Sequence, residues 1–166
     1  MKKIISQKVA RIIRNKKQLE KTLEIKITNR GKEVTIEGDP ENEYFGEKVI
    51  DALNFGFPFS AAISIKEEEK DLEFLSIKDH TKSQDMERIR GRIIGKGGKG
   101  LRTLSNLSNC DIELNENKLG IIGDPENLKI AQEAIISMIK GSKHGNVYNL
   151  LEKNRIMPVD DLGLKE

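Results

Sequence analysis

Apolar and polar residues alternate in two neighbouring stretches near the start of the chain, EIKIT (Glu24–Thr28) and EVTIE (Glu33–Glu37), with Asn29–Lys32 between them. A period of two broken by a short polar turn predicts a β-hairpin. A second pair, DIEL (Asp111–Leu114) and KLGII (Lys118–Ile122), hinged on Asn115–Asn117, predicts another. After each hairpin the period lengthens to that of a helix. Ile130, Ala131, Ala134, Ile135, Met138 and Ile139 share one helical face in the second half, and Phe45, Val49, Ile50 and Leu53 do so in the first.

The same five residues, GDPEN, join strand to helix in both places, at Gly38–Asn42 and Gly123–Asn127. Their chemistry suits a joint. Gly38 and Gly123 are expected to permit a sharp turn, and Asp39 and Asp124 to cap the helix with a carboxylate. Pro40 and Pro125 fit the first helical position, where no donor is needed, and Glu41 and Glu126 face the positive end of the helix dipole. The repeated word therefore reads as a mark of duplication, not as two copies of an acid–base site.

The copies differ ahead of the hairpins. The second carries IIGKGGKGLRTLSNLSN (Ile93–Asn109), and the first has IIRNKKQLEKTL (Ile12–Leu23). With Ile112 matched to Ile25, the spacing from Ile94 is 18 positions and that from Ile13 is 12, so the first copy is expected to lack six residues and all the loop glycines.

Length and composition narrow the setting. The 166 residues fit two domains of about 80, each near the lower limit for burying its own core. A single cysteine, Cys110, excludes an internal disulfide and a multi-cysteine zinc site, and points to a reducing, cytoplasmic location. His80 and His144 lack ligand spacing, and no apolar run approaches the roughly 20 residues of a membrane span. No nucleophile–base pair, carboxylate pair or metal cluster stands out, so no enzyme activity, metal or cofactor is expected. Net charge is only +2, but it is distributed in blocks. Residues 1–30 hold ten Lys/Arg against two Glu, and 31–80 hold five against thirteen Asp/Glu. Residues 81–110 hold seven against two, and 111–139 hold two against six. Each half is basic, then acidic, which fits a polyanion partner approached from one side or simply solvated charged faces.

GKGGKG satisfies G-x-G-x-x-G at Gly95, Gly97 and Gly100, with Glu113 near the place of a ribose-binding acid. A dinucleotide fold would need a strand before the loop, whereas Met86–Ile94 has the pattern of a helix and a tight hairpin follows. A P-loop cannot be drawn at all. The segment instead resembles the GxxG loop of a KH domain: helix, Gly95-Lys96-Gly97-Gly98, helix, hairpin, closing helix. Glycines let the backbone press against sugar-phosphate, and the next helix offers N–H groups at its start. Such a loop clamps about four nucleotides of a single strand. The expected RNA-binding residues are Arg92, Ile94, Gly95, Lys96, Gly97, Gly98, Lys99, Leu101, Arg102 and Ile112, with Ile94, Leu101, Leu104 and Ile112 as the floor of a base groove.

The expected fold is α+β: two tandem type I (eukaryotic-type) KH domains, each β-α-α-β-β-α with a three-stranded sheet packed by helices. The first strands are placed at Lys2–Ser6 and Leu72–Lys78. Residues 1–71 form a degenerate domain in which Arg14-Asn15-Lys16-Lys17 replaces GxxG, followed by a connector helix beginning near Pro58 that serves as an interdomain seal or a partner site. Residues 72–166 form the domain with the GxxG loop and a C-terminal helical tail.

Beyond the loop, the connector from Gly56-Phe57 to Ala61 or Ala62, LEFLSIKD (Leu72–Asp79), RIRGRIIGKGGK (Arg88–Lys99), IIGDPENLKIAQEAI and the Gly145–Leu150 segment together resemble the archaeal and eukaryotic family of small-subunit assembly factors called partner of Nob-one, or Dim-two; the compact start resembles the archaeal form. The resemblance implies a single-stranded RNA-binding protein, monomeric when free, that acts on the precursor of the small ribosomal subunit. It would bind near the 3′ end of the 16S-type ribosomal RNA and assist maturation by a Nob-one-like endonuclease. A KH subunit of an RNA degradation or transcription complex, or a protein-docking scaffold, remains the alternative.

Overall fold

A computed structural model describes residues 1–154. The chain divides into two compact units, Met1–Leu72 and Glu73–Glu166. The end of the expected C-terminal tail, residues 155–166, lies outside the described residues.

The first unit runs β1 (Lys2–Ile5), α1 (Val9–Arg14), α2 (Lys16–Leu23), β2 (Lys26–Arg30), β3 (Glu33–Glu37), α3 (Pro40–Phe55) and α4 (Phe59–Glu67). Its three strands lie in the order β1-β3-β2, antiparallel throughout. Along β3 the two inward positions, Val34 and Ile36, are buried while Glu33, Thr35 and Glu37 face outward, the alternation that the pleat imposes. Helix α3 closes over the sheet with Val49, Ile50 and Leu53 at zero exposure, while Phe45 is only half-buried, its ring under the Lys66 ammonium at 4.8 Å. The connector helix α4 starts after Pro58 and packs on α3.

The second unit runs β4 (Asp71–Ser76), a 3-10 turn (Ile77–His80), α5 (Met86–Ile94), a 3-10 turn (Lys96–Gly98), α6 (Lys99–Ser108), β5 (Asp111–Asn115), β6 (Lys118–Gly123), α7 (Pro125–Ile139) and α8 (His144–Lys153). The strand order, β4-β6-β5, repeats that of the first unit. The first strand is shorter than Leu72–Lys78, because Ile77 turns inward and donates its N–H to the Asn117 carbonyl at 2.9 Å. Its core gathers Ile77, Ile89, Ile93, Leu104, Ile121 and Met138 from every element around the sheet. The Gly145–Leu150 segment lies on α8, which rests on α6 and α7 with Val147 and Leu151 buried.

Strand register revises the length difference between the copies. Ile27 pairs with Ile36 and Ile112 with Ile121, so the counterpart of Ile112 is Ile27 and not Ile25. From Ile13 to Ile27 is 14 positions, and the first copy is therefore four residues shorter, not six.

The GDPEN joints also work differently from expectation. Asp39 and Asp124 stand at the N-cap and Pro40 and Pro125 follow as the first helical residues, but neither aspartate side chain accepts a capping hydrogen bond. In the first unit the next turn supplies the acceptor: Glu43 Oε2 takes the Gly38 N–H at 3.1 Å. The amino-terminal ammonium and that N–H together hold the Glu43 carboxyl below its ordinary range. Nor do the glycines serve a turn, since neither has positive φ. They are there for space: a Cβ on Gly38 would lie 3.0 Å from Ile25 Cγ2, and one on Gly123 would lie 2.6 Å from Cys110 Sγ. Gly123→Ala is accordingly expected to destabilise the second unit by about 1–3 kcal/mol through overpacking. Cys110→Ala in the same chain should recover most of that loss, because the obstructing atom is gone. Denaturant melts of the two single variants and the double variant measure the coupling; strict additivity would contradict the steric account.

One further device occurs in both units. Arg11 donates to the Leu53 carbonyl at 3.1 Å and the Phe57 carbonyl at 2.7 Å. Arg92 donates to the Met138 carbonyl at 3.1 Å and the Ser142 carbonyl at 2.7 Å. A guanidinium fork thus satisfies carbonyls left over at the end of the closing helix, where positive charge is also favoured by the helix dipole. Each arginine ties the first helix of its unit to the end of the helix that follows the hairpin, α3 or α7.

Candidate nucleic-acid interface

Helix α5 ends where Gly95 adopts φ 73°, ψ 176°, a backbone region open essentially to glycine alone. A Cβ there would lie 2.5 Å from the Gly100 nitrogen, and a Cβ on Gly100 would lie 2.7 Å from the Ile93 carbonyl oxygen. The last turn of α5 and the first turn of α6 therefore touch backbone to backbone. Gly95 and Gly100 build the loop.

Gly97 has a different job. It is left-handed (φ 62°, ψ 22°) and exposed, and a Cβ built on it meets no atom within 4 Å. The open backbone faces solvent, flanked by Lys96 and Lys99, which are exposed. Gly98 follows, also left-handed, and the exposed Arg102 folds back so that its Nη1 lies 3.3 Å from where a Gly98 Cβ would stand. No acidic residue occupies the first turn of α6, so the positive end of that helix is not neutralised from within. Lys96, Lys99 and Arg102 make no ion pair among the described residues. Cations, a helix start and bare backbone meet at one place, an arrangement suited to a phosphate diester.

The other expected site residues divide. Ile94, at 38% exposure, stands on the surface beside the loop, and Leu101 is half-buried against the core. Leu104 and Ile112 are core residues, at 1% and 5%, and so cannot be the open floor expected of them. Arg92 has a structural part as well: each of its terminal nitrogens donates to a carbonyl at the end of α7 or just beyond it, which positions α5.

Sequence reasoning passed over two residues here. Gly91 lies exposed in the middle of α5, one turn before Ile94, with nothing within 4 Å of a built Cβ. A mid-helix glycine costs about 1 kcal/mol relative to alanine, and nothing within the fold compensates for it. The signal was readable in Arg90-Gly91-Arg92, where a helix pattern contains a glycine without a packing reason; the first unit has Ala10 at the equivalent place. The other is His144, set aside for want of ligand spacing. Its Nε2 donates to the Arg92 carbonyl at 2.7 Å and pins the start of α8 to the end of α5.

The first unit has no such loop. Its α1 and α2 meet at Asn15 alone, which ends one helix and begins the next at φ −103°, ψ 9°. Arg14 and Lys17 are exposed, and Ile13 is 47% exposed where the second unit has Ile94. The apolar and basic surroundings are retained while the bare backbone is gone. Among the described residues no three His, Cys, Asp or Glu side chains gather as metal ligands, and no helix is long and apolar enough to cross a membrane.

Comparison with known proteins agrees with this geometry. The family model for the eukaryotic-type KH domain (type I), in its form for the second KH domain of PNO1, matches residues 71–156. A KH domain-containing protein of Methanocaldococcus jannaschii is 31% identical over 147 residues, which is 84% of this chain and 65% of that one. The pre-rRNA-processing protein pno1 of Aspergillus oryzae is 32% identical over 112 residues, 65% of this chain and 43% of its own. The chain thus spans between two fifths and two thirds of these relatives. Among solved structures, a chain in the crystal structure of an a/eIF2alpha–aDim2p–rRNA complex from Pyrococcus horikoshii superposes with a TM-score of 0.84 at 29% identity, over 93% of each chain. With a family model matching more than half its length at the segment that carries the glycine loop, the chain belongs to the PNO1 (Dim2) family of type I KH-domain proteins.

Proposed function

We propose that this chain binds single-stranded ribosomal RNA through the second unit and acts in processing the precursor of the small ribosomal subunit. The observation that carries the reading is the bare left-handed backbone at Gly97, ringed by Lys96, Lys99 and Arg102 at the start of α6, none of which is in an ion pair among the described residues. Related proteins support it: the fungal relative is named for pre-rRNA processing, and the superposing structure is that of a complex with rRNA. The strand lies with its sugar-phosphate on Gly95–Gly98 and its bases over Gly91 and Ile94. The finer placement, near the 3′ end of the 16S-type RNA where a Nob-one-like endonuclease is assisted, belongs to the same proposal. So does the reading of the first unit as a second, degenerate KH domain, whose strand order and arginine tie repeat those of the second. The factor is cytoplasmic, monomeric when free, and works by binding without catalysis of its own.

Salt titration tests the binding mode. Each phosphate neutralised on a single strand lowers the slope of log affinity against log salt by about 0.7. On a strand of about four nucleotides, contacts from Lys96, Lys99 and Arg102 therefore predict a slope of about −2, and Arg102→Ala should flatten it by about 0.7. Affinity that does not change with salt would favour a protein-docking scaffold.

A further inference from the structure

We propose that a cationic cavity at the far end of α5 is a second phosphate site, which takes the backbone of the same RNA strand after it leaves the glycine loop. The proposal rests on the reading of Gly95–Gly98 given above and extends its footprint. The cavity measures about 360 Å³, and Lys78, Thr81, Lys82, Ser83 and Asn117 are among its walls. No carboxylate lines it. Both lysines are exposed, and neither enters an ion pair among the described residues.

Asp79 and Asp85, close to the lysines in sequence, lie outside the lining. Asp85 caps α5, accepting the Arg88 N–H at 3.1 Å and lying 3.6 Å from the Arg88 guanidinium. Asp79 adjoins Lys78 in the 3-10 turn but lines a separate cavity with His80, beside Phe74 and Ile136. Adjacent residues of one turn thus line two different cavities.

The hydroxyls add donors. Thr81 Oγ1 accepts the Ser83 N–H at 3.1 Å and Ser83 Oγ accepts the Asp85 N–H at 3.2 Å, which leaves each O–H proton free to donate. Compact ammonium charges with hydroxyl donors suit phosphate oxygens. An acidic peptide would want apolar anchors as well, and Met86 is the sole apolar residue in the lining.

Position makes the strand the occupant. The Asn117 side chain accepts from Arg90 at 2.9 Å, so the cavity wall is tied to α5 and to the β5–β6 turn. Met86 borders the cavity and Gly95 follows the other end of α5, nine residues and about 13 Å along the helix. A strand clamped at the loop and laid along α5 meets Lys78 and Lys82 next.

The test uses the full chain, a Lys78→Gln/Lys82→Gln variant, and two single-stranded RNAs of about four and about ten nucleotides, the shorter matched to the loop. The variant is expected to bind the long strand about 10- to 100-fold more weakly, with its salt slope flattened by about 1.4, and to bind the short strand as wild type does. Unchanged affinity and slope for the long strand would overturn the proposal. So would equal losses on both lengths, which would place the lysines at the loop. The Lys96→Asp/Gly97→Asp variant separates the two readings: if the loop reading itself fails, that variant binds the short strand normally. If only the second site fails, the loop variant remains defective and the lysine variant does not.

Discussion

The double change Lys96→Asp/Gly97→Asp is expected to remove most single-stranded RNA binding and leave the second unit folded. It deletes one ammonium and places two carboxylates at the proposed phosphate site. A charge-assisted hydrogen bond is worth about 1.5–3 kcal/mol, and repulsion adds to its loss, so affinity should fall by at least roughly 100-fold. The fold should survive because a side chain at Gly97 meets nothing within 4 Å, and left-handed backbone costs an aspartate only about 1 kcal/mol. Fluorescence anisotropy with a labelled strand, beside a thermal melt, reads both quantities. A folded double variant that binds as tightly as wild type would remove the loop from the account.

The second large effect separates the loop glycines by role. Gly95→Ala should destabilise the second unit by more than about 3 kcal/mol, because its backbone region is closed to side chains and its Cβ would meet the Gly100 nitrogen at 2.5 Å. Backbone on backbone cannot yield as a flexible side chain can. Gly97→Ala carries left-handed strain alone, about 1–2 kcal/mol. At roughly 4–8 °C per kcal/mol for a unit of this size, the first substitution should lower Tm by well over 10 °C and the second by clearly less. Equal shifts would mean that the α5–α6 approach is looser than described.

Periodicity made the hairpins, the closing helices and the helix before the loop legible, because those elements bury one face and the residues on it must recur at the element's own period. Met86–Ile94 fell where expected for that reason. Boundaries set by tertiary hydrogen bonds were not legible: β4 stops at Ser76 because Ile77 turns to reach Asn117, which lies 40 residues away in the chain. The four-residue difference between the copies was misjudged for a related cause. Ile25 and Ile27 both look like strand positions, and only pairing across the sheet decides which one corresponds to Ile112. At the site, the glycine spacing exposed the loop, but Arg92 looked like any other cation beside it. Its commitment to the Met138 and Ser142 carbonyls, 46 and 50 residues downstream, has no local signature. Gly38 and Gly123 misled in the opposite direction, since a glycine between strand and helix suggests a turn, whereas the cause lies in a neighbouring side chain.

The central claim is that the glycine loop of the second unit holds a single strand of small-subunit precursor RNA. Ultraviolet crosslinking of the full chain to RNA in cells, with both the peptide and the nucleotide identified, tests it most directly. The account predicts crosslinks on the segment from Gly91 to Arg102, to unpaired nucleotides near the 3′ end of the small-subunit precursor RNA. Crosslinks confined to residues 1–71, or spread over RNA of every kind, would contradict it.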